Sequence, residues 1–283
     1  MIPLDELLNQ VSRVNIASWI NTISSFHTRH TKSDSINDVA NWLKRELNRL
    51  HYKNVWFHEY PHDGYQLKNV ICQTLAGEDK TILICAHYDS IMEDTNNSEE
   101  RAPGANDNAS GMAAVLELSR ILANSYLDYV VKFAFFSGEE QGLWGSNAYA
   151  KHIHQKKENM DMLINLDMVG RPPLDCNSVI IEKDEGNSVQ ENDRTSCHFG
   201  EIMRNMVSQY TNLRAIDGPI YDSDYMPFEA LGYAVVGIYD DGQESPIHHS
   251  KSDIPTSLNL DYIVEITKVV LATLSFINKD FIF

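Results

Sequence analysis

Long hydrophobic runs are missing from this 283-residue chain, and no stretch is apolar for the length that a bilayer-crossing helix needs. The opening Met-Ile-Pro-Leu-Asp-Glu-Leu-Leu also lacks the basic start and extended apolar segment of a signal peptide. The expectation is a protein without a membrane partner, either cytoplasmic or the mature form of a secreted or periplasmic one. Basic residues are scarce as well: 23 Lys and Arg stand against 40 Asp and Glu, a formal net charge of -17. Phosphate-rich surfaces would be repelled, which argues against nucleic acid or anionic lipid as partners. Cysteine is rare too. Cys72, Cys85, Cys176 and Cys197 are not at zinc-ribbon spacing, and the first two fall inside apolar, strand-like runs, where cysteine behaves as a small hydrophobe. A bridge between Cys176 and Cys197 is left open.

What remains is the composition of an ordinary globular protein long enough to bury a sizeable core. Apolar residues at helical spacing predict one or two helices over 3–25. Ser35 followed by Asp38 resembles a capping box and predicts a helix to about Leu50. Strand-like runs at 55–60 and 67–75 predict a hairpin turned by Pro61-His62-Asp63-Gly64. Further strands are predicted at 81–87, 130–136, 162–167, 179–181 and 233–239, with helices at 112–122, 142–154, 196–210 and 224–231 and after Asn259. Strands alternate with helices and no composition break or repeat interrupts them. The expected fold is α/β, a single three-layer α/β/α domain over residues 1–283 with a mixed, mostly parallel central sheet.

Four polar segments follow apolar runs in the middle of the chain: Ala86-His87-Tyr88-Asp89-Ser90, Gly104 to Gly111, Ser137-Gly138-Glu139-Glu140-Gln141-Gly142, and Asn165-Leu166-Asp167-Met168. Three of them leave the ends of predicted strands, where open α/β sheets bind ligands. Carboxylates crowded at one edge raise each other's pKa unless cations lie between them, so the segments read as a metal site. Asp107 could bridge two metals. His87 and Asp167 could complete one, and Glu140 with a second histidine from Pro246-Ile247-His248-His249-Ser250 the other. Adjacent Glu139 and Glu140 point in different directions, so one is expected to ligate and the other to act as general base. Asp89 is placed to hold the His87 ring by its second nitrogen.

Each segment alone has an ordinary explanation. The glutamate pair could complement a helix dipole, His87 could be a core histidine, Asp107 a turn residue, and His248-His249 a solvated pair. Their joint occurrence at matching strand ends favours one site.

As a set, His87-Tyr88-Asp89-Ser90, Gly104 to Gly111, Gly138 to Ser146, Asn165 to Met168 and His249-Ser250-Lys251-Ser252-Asp253 resemble the co-catalytic di-zinc aminopeptidases of the bacterial leucyl aminopeptidase type. This is metallopeptidase family twenty-eight, which also contains glutaminyl cyclases. The likeness extends to Arg29-His30-Thr31 and the last helix, covering nearly the whole chain. It implies a zinc-dependent exopeptidase fold with two zincs per chain, bound by His87, Asp107, Glu140, Asp167 and His249 and bridged by Asp107. Glu139 would be the base, and Asp107-Asn108 would be a cis peptide. The implied reaction is removal of the first residue from a peptide with a free amino terminus, by a monomer. Met168, Tyr221, Tyr225, Met226, Phe228, Ile247 and His248 flank the motifs and are expected to line an apolar pocket for that residue. His248 stands where some relatives carry an oxyanion-stabilising tyrosine, and the cysteine pair of some secreted relatives is absent around Ser223-Asp224. The rival readings are a single-zinc glutaminyl cyclase, a carboxypeptidase using Arg171 or Arg214 to hold a terminal carboxylate, and a non-catalytic relative.

Overall fold

Strands buried on both faces take the middle of the sheet. In the computed structural model, which describes residues 3–75, 80–123, 127–173, 177–240 and 245–280, β3 (Thr81–His87), β4 (Val130–Phe136), β5 (Met162–Leu166) and β8 (Val235–Tyr239) are almost wholly buried. Alternate residues serve opposite layers, as the two-residue repeat of a strand dictates. Ile82 and Ile84 of β3, Phe133 and Phe135 of β4, and Ile164 of β5 join the larger core. Leu83, Cys85, Ala134, Phe136 and Leu163 join a smaller one on the other face. Both faces are therefore covered, as parallel strands require.

Among the described residues eight strands form one sheet in the order β1-β2-β4-β3-β5-β8-β6-β7. The β4-β3-β5-β8 stretch and the β6-β7 pair are parallel, whereas β1-β2, β2-β4 and β8-β6 are antiparallel. The flanking strands are β1 (Val55–His62), β2 (Tyr65–Gln73), β6 (Ser178–Lys183) and β7 (Arg214–Pro219). Helices α1 (Leu4–Leu8), α2 (Arg13–Ile23), α3 (Ser35–Arg49), α4 (Gly111–Leu122), α6 (Asp193–Tyr210) and α8 (Leu260–Asp280) lie on the large-core side. Helices α5 (Trp144–Gln155) and α7 (Met226–Glu229) pack with the smaller core. This is the three-layer α/β/α arrangement with a mixed sheet that the sequence predicts.

Three local readings differ from the sequence expectation. Ser35 lies inside α3, and its hydroxyl donates to the Thr28 carbonyl at 2.5 Å, so no capping box forms. The hairpin turn is only Asp63-Gly64, at φ of +48° and +82°. That two-residue turn suits the twist of paired strands, so Pro61 and His62 stay in β1, an edge strand that tolerates proline. Strand β7 has no counterpart in the sequence reading, because Arg-Ala-Ile-Asp-Gly-Pro carries few apolar residues and lies half-exposed at the sheet edge. Asn259 does cap α8, its Oδ1 accepting from the backbone N–H groups of Asp261 and Tyr262 at 3.1 Å. Cys197 Sγ is a free thiol facing the Asp184 carbonyl at 3.4 Å; Cys176 and its expected bridge lie outside the described residues.

The segment after β4 is welded to β2 by Asn69. Its Nδ2 donates to the Gly145 carbonyl at 2.8 Å and its Oδ1 accepts from Ser137 N at 3.2 Å. A Cβ at Gly145 would meet Asn69 Oδ1 at 2.3 Å and the Ser137 carbonyl at 2.4 Å. Gly145→Ala is accordingly expected to lower stability by about 1–3 kcal/mol, the range for overpacking a tight site. Urea unfolding checks this.

Candidate metal centre

Three adjacent parallel strands bring their carboxyl ends together and deliver the polar segments to one edge. His87 closes β3 and pairs with Phe136 at the end of β4, so Glu139 and Glu140 leave from beside it. On the other side β5 ends at Leu166, and Asp167 follows. Asp107 arrives on a tight turn, residues 105–110, whose Asp107-Asn108 peptide is cis.

That turn is fixed from below by buried charge. Arg29 is fully buried and donates to four carbonyls: Tyr88 at 2.9 Å, Pro103 at 2.6 Å, Gly104 at 3.0 Å and Asp107 at 3.4 Å. Burial lowers its pKa to about 10 against the pull of Asp253 and Asp107, so it stays protonated at neutral pH. Asp253 accepts from the backbone N–H of Asn106 at 2.8 Å and of Asp107 at 3.2 Å, and is paired with Arg171. Asn108 Nδ2 donates to the Leu166 carbonyl at 2.9 Å, tying the turn to the end of β5.

The resulting geometry separates the two oxygens of one carboxylate. Asp107 Oδ1 lies 3.1 Å from His87 Nε2, which is 3.2 Å from Asp167 Oδ1. Asp107 Oδ2 lies 3.2 Å from His249 Nε2, which is 3.1 Å from Glu140 Oε2. His248 reaches the same Oδ2 at 2.7 Å, its ring stacked on His249 with centroids 3.7 Å apart. The likeness-based expectation chose His249 alone; the structure brings both imidazoles to Asp107. Glu139 stands slightly back, its Oε2 4.0 Å from His87 Nε2.

Supporting contacts hold these donors. Ser223 Oγ donates to Asp167 Oδ2 at 2.6 Å. Asp89 accepts from the backbone N–H of Glu139 and Glu140 at 3.3 and 3.2 Å and from Thr31 Oγ1 at 3.0 Å. It lies 3.5 Å from His87 Nδ1, an ion-pair distance that leaves that nitrogen without a hydrogen bond. Met168 and His249 sit at φ of +48° and +50°. Non-glycine residues rarely adopt that conformation, which costs about 1–3 kcal/mol and clusters at functional sites.

Electrostatics follow the crowding. Glu140 is pushed up to about 7 by burial and by the charge of Asp107. Glu139 is raised well above the usual carboxylate range, chiefly by burial, with His87 opposing and Asp167 adding to it. Asp107 is held well below that range, because hydrogen bonds to His248, His249 and His87 outweigh its burial. His249 is raised to about 10, its contacts with Asp107 and Glu140 overcoming desolvation. Carboxylates crowded this closely out of water are tolerated where divalent cations lie between them. Imidazole nitrogen and carboxylate oxygen are the donor types zinc takes. His87, Asp107 and Glu140 offer ligand atoms within 4.8 Å of one another, as do Asp107, His248 and His249. Glu140 Oε1 is buried with no hydrogen-bond partner. The donor set fits zinc.

A cavity of about 610 Å³ opens over these donors. Met168, Tyr221, Tyr225 and His248 line it; Met226, Phe228 and Ile247 do not. Phe228 is fully buried against Phe136 and Tyr149 in the smaller core, and Met226 packs on the same cluster. Helix α7 turns these two side chains inward, so the apolar pocket expected from the sequence is narrower and more polar. Ser223 and Glu182 are absent from the sequence expectation as site residues, and Asp253 enters it only as the end of the motif that begins at His249. Single polar side chains of this kind carry no periodic signal. Arg171, considered as a carboxylate anchor, instead donates through Nη2 to Asp253 and Ser257, and Arg214 lies on edge strand β7.

Residues 69–274 match Peptidase family M28, and the chain belongs to that family. A protein of Pyrenophora teres f. teres named "Probable zinc metalloprotease" is 35% identical over 189 residues, 59% of this chain and 41% of the relative. The match thus spans about two fifths of that relative's length. A "Probable leucine aminopeptidase" of Arthroderma otae is 24% identical over 282 residues, covering 94% of this chain and 72% of that protein. Among solved structures, the Legionella pneumophila LapA aminopeptidase has a TM-score of 0.82 at 19% identity, covering 98% of this chain and 74% of that one. A Bacteroides thetaiotaomicron glutaminyl cyclase bound to N-acetylhistamine has a TM-score of 0.74 at 19% identity, covering 93% and 97%. At these identities the structural likeness is one of fold, the zinc exopeptidase fold that the motifs imply.

Arg29→Ala would take the donor from the Tyr88, Pro103 and Asp107 carbonyls, leave Gly104 with the Ala109 N–H alone, and remove the buried charge beneath Asp107. It is expected to lower stability by about 3–5 kcal/mol and to weaken zinc binding. Denaturant melts and zinc titration of the variant check both.

Proposed function

We propose that this chain is a zinc-dependent aminopeptidase, removing the first residue from peptides with a free amino terminus. The observation that carries the reading is the split Asp107 carboxylate, one oxygen facing His87 and Asp167 and the other facing His249 and Glu140. His87, Asp167 and Asp107 would hold one zinc, and His249, Glu140 and Asp107 the other. Bound there, the pair would supply Lewis acidity to the scissile carbonyl and lower the pKa of the attacking water.

The remaining work falls to side chains. Glu139, close to the donors but outside both sets, takes the proton of the attacking water on its carboxylate and hands it to the leaving amine. Its burial keeps its affinity for a proton high, which suits that relay. Asp89 keeps Glu139 and Glu140 apart in direction by holding both backbone N–H groups. Ser223 orients Asp167. The acidic wall of the cavity suits a substrate amine. Among the described residues no Lys or Arg lines it.

The test compares aminoacyl reporters with free and acetylated amines, alongside zinc content. Free-amine reporters are expected to be cleaved and acetylated ones spared. Glu139→Gln should retain zinc while losing about 10²- to 10⁴-fold in kcat, the usual worth of a general base, whereas Glu140→Gln should lose zinc as well. Normal turnover in both variants would sink the assignment. Cyclisation of amino-terminal glutamine without peptide hydrolysis would point to the glutaminyl cyclase reading.

A further inference from the structure

Beyond the donor sets the cavity runs past Met168, Tyr225 and Tyr239 to a carboxylate that the proposed reaction does not use, that of Glu182. Glu182 lies on β6 opposite Gly237 of β8. A Cβ at position 237 would come within 2.1 Å of Glu182 Oε2 and 2.7 Å of the Tyr225 ring. The carboxylate therefore rests over the backbone of β8, in room that exists only because residue 237 has no side chain. The Tyr225 ring packs on the same strip of β8, its hydroxyl donating to the Tyr221 carbonyl at 2.9 Å. No ion pair of Glu182 with Lys, Arg or His occurs among the described residues. Burial, with Tyr225 opposing and the charge of Asp167 adding, pushes its pKa up to about 8. A carboxylate so placed ionises readily only when a cation enters beside it.

We infer that Glu182 reads the side chain of the substrate's first residue and selects a basic one. The ammonium of lysine or the guanidinium of arginine would dock on the Glu182 carboxylate, with its stem lying along Met168, Tyr225 and Tyr239. This rests on the aminopeptidase reading and names its substrate class, replacing the apolar first residue expected from the sequence.

Distance favours the side chain over the α-amine as the group that Glu182 meets. Asn165, two residues before Asp167, pairs with Gly237, which pairs with Glu182. Two strand spacings, about 10 Å, therefore separate the Asn165 and Glu182 backbones. An α-amine sits one carbon from the scissile carbonyl and stays with the donors, whereas the four-carbon stem of lysine or the longer arginine fork spans toward β6. An apolar side chain would leave the half-buried carboxylate facing hydrocarbon, and an acidic one would meet like charge. Both penalties act on the choice of substrate, because a site built around a polar partner discriminates against analogues that lack it.

The test uses the zinc-loaded protein with lysyl, arginyl, leucyl and glutamyl reporters, in wild type, Glu182→Gln and Glu182→Leu. Glu182→Gln keeps the shape and removes the charge, separating charge from packing. In wild type, kcat/KM for lysyl and arginyl reporters should exceed that for leucyl by tenfold or more. Glu182→Leu should lower the first two about 100-fold, mainly through KM, and leave leucyl unchanged or improved, with Glu182→Gln following in the same direction. Leucyl equal to lysyl in wild type, or all four reporters falling by one common factor in the variants, would overturn the inference; the latter would place the α-amine or the fold at Glu182. Calorimetry of L-lysine and L-leucine reads the pocket without turnover. Tighter L-lysine binding that Glu182→Leu abolishes supports the inference even should no reporter be cleaved, an outcome that would count against the aminopeptidase reading alone. Equal affinities, unmoved by the substitution, would overturn it.

Discussion

Like charges gathered out of water are the constraint on which this structure turns. Asp107, Glu139, Glu140 and Asp167 meet at the carboxyl edge of three parallel strands, and their mutual repulsion grows as water is excluded. The protein answers it twice. Beneath the site, the buried Arg29 guanidinium and the Asp253–Arg171 pair fix the backbone that carries Asp107. At the site, imidazoles from β3 and from the 248–249 turn face the carboxylates from opposite sides. Both arrangements hold donors at separations that a cation closes.

The fold explains why such a site can be rigid. β4, β3 and β5 are apolar on both faces and clamped between two helical layers, so their ends are set by core packing rather than by loop conformation. Donors leaving those ends inherit that precision. Asp107 and His249 come from irregular backbone instead, and there side chains do the positioning: Asp253 and Asn108 around the first, the His248 stack beside the second. The positive φ of Met168 and His249 shows that local backbone preference gives way to these contacts.

The central strands were legible because their burial writes itself as unbroken apolar runs. The candidate donors could be named from the sequence because histidine and carboxylate recur directly after those runs. Strand β7 was not, since an edge strand of Arg-Ala-Ile-Asp-Gly-Pro has one exposed side and little to hide. Ser35 looked like a cap, but its hydroxyl finds the Thr28 carbonyl, a tertiary partner that no local pattern announces. Phe228 and Met226 looked like pocket walls from their place in the chain, whereas the short helix α7 turns them into the core. Glu182 was hidden for the opposite reason. It ends an apolar strand and reads as the start of a polar loop, and only its pairing with Gly237 two strands from Asn165 brings it to the cavity. Side chains whose role depends on a partner far along the chain leave no periodic trace.

The proposed site shares one carboxylate, that of Asp107, between two zinc ions. Crystals grown with zinc and measured at the zinc absorption edge test it directly. Two anomalous peaks about 3.5–4 Å apart are expected, one against His87 and Asp167, the other against His249 and Glu140, with one oxygen of Asp107 on each. A single peak, or two peaks that leave Asp107 uncoordinated, would contradict it.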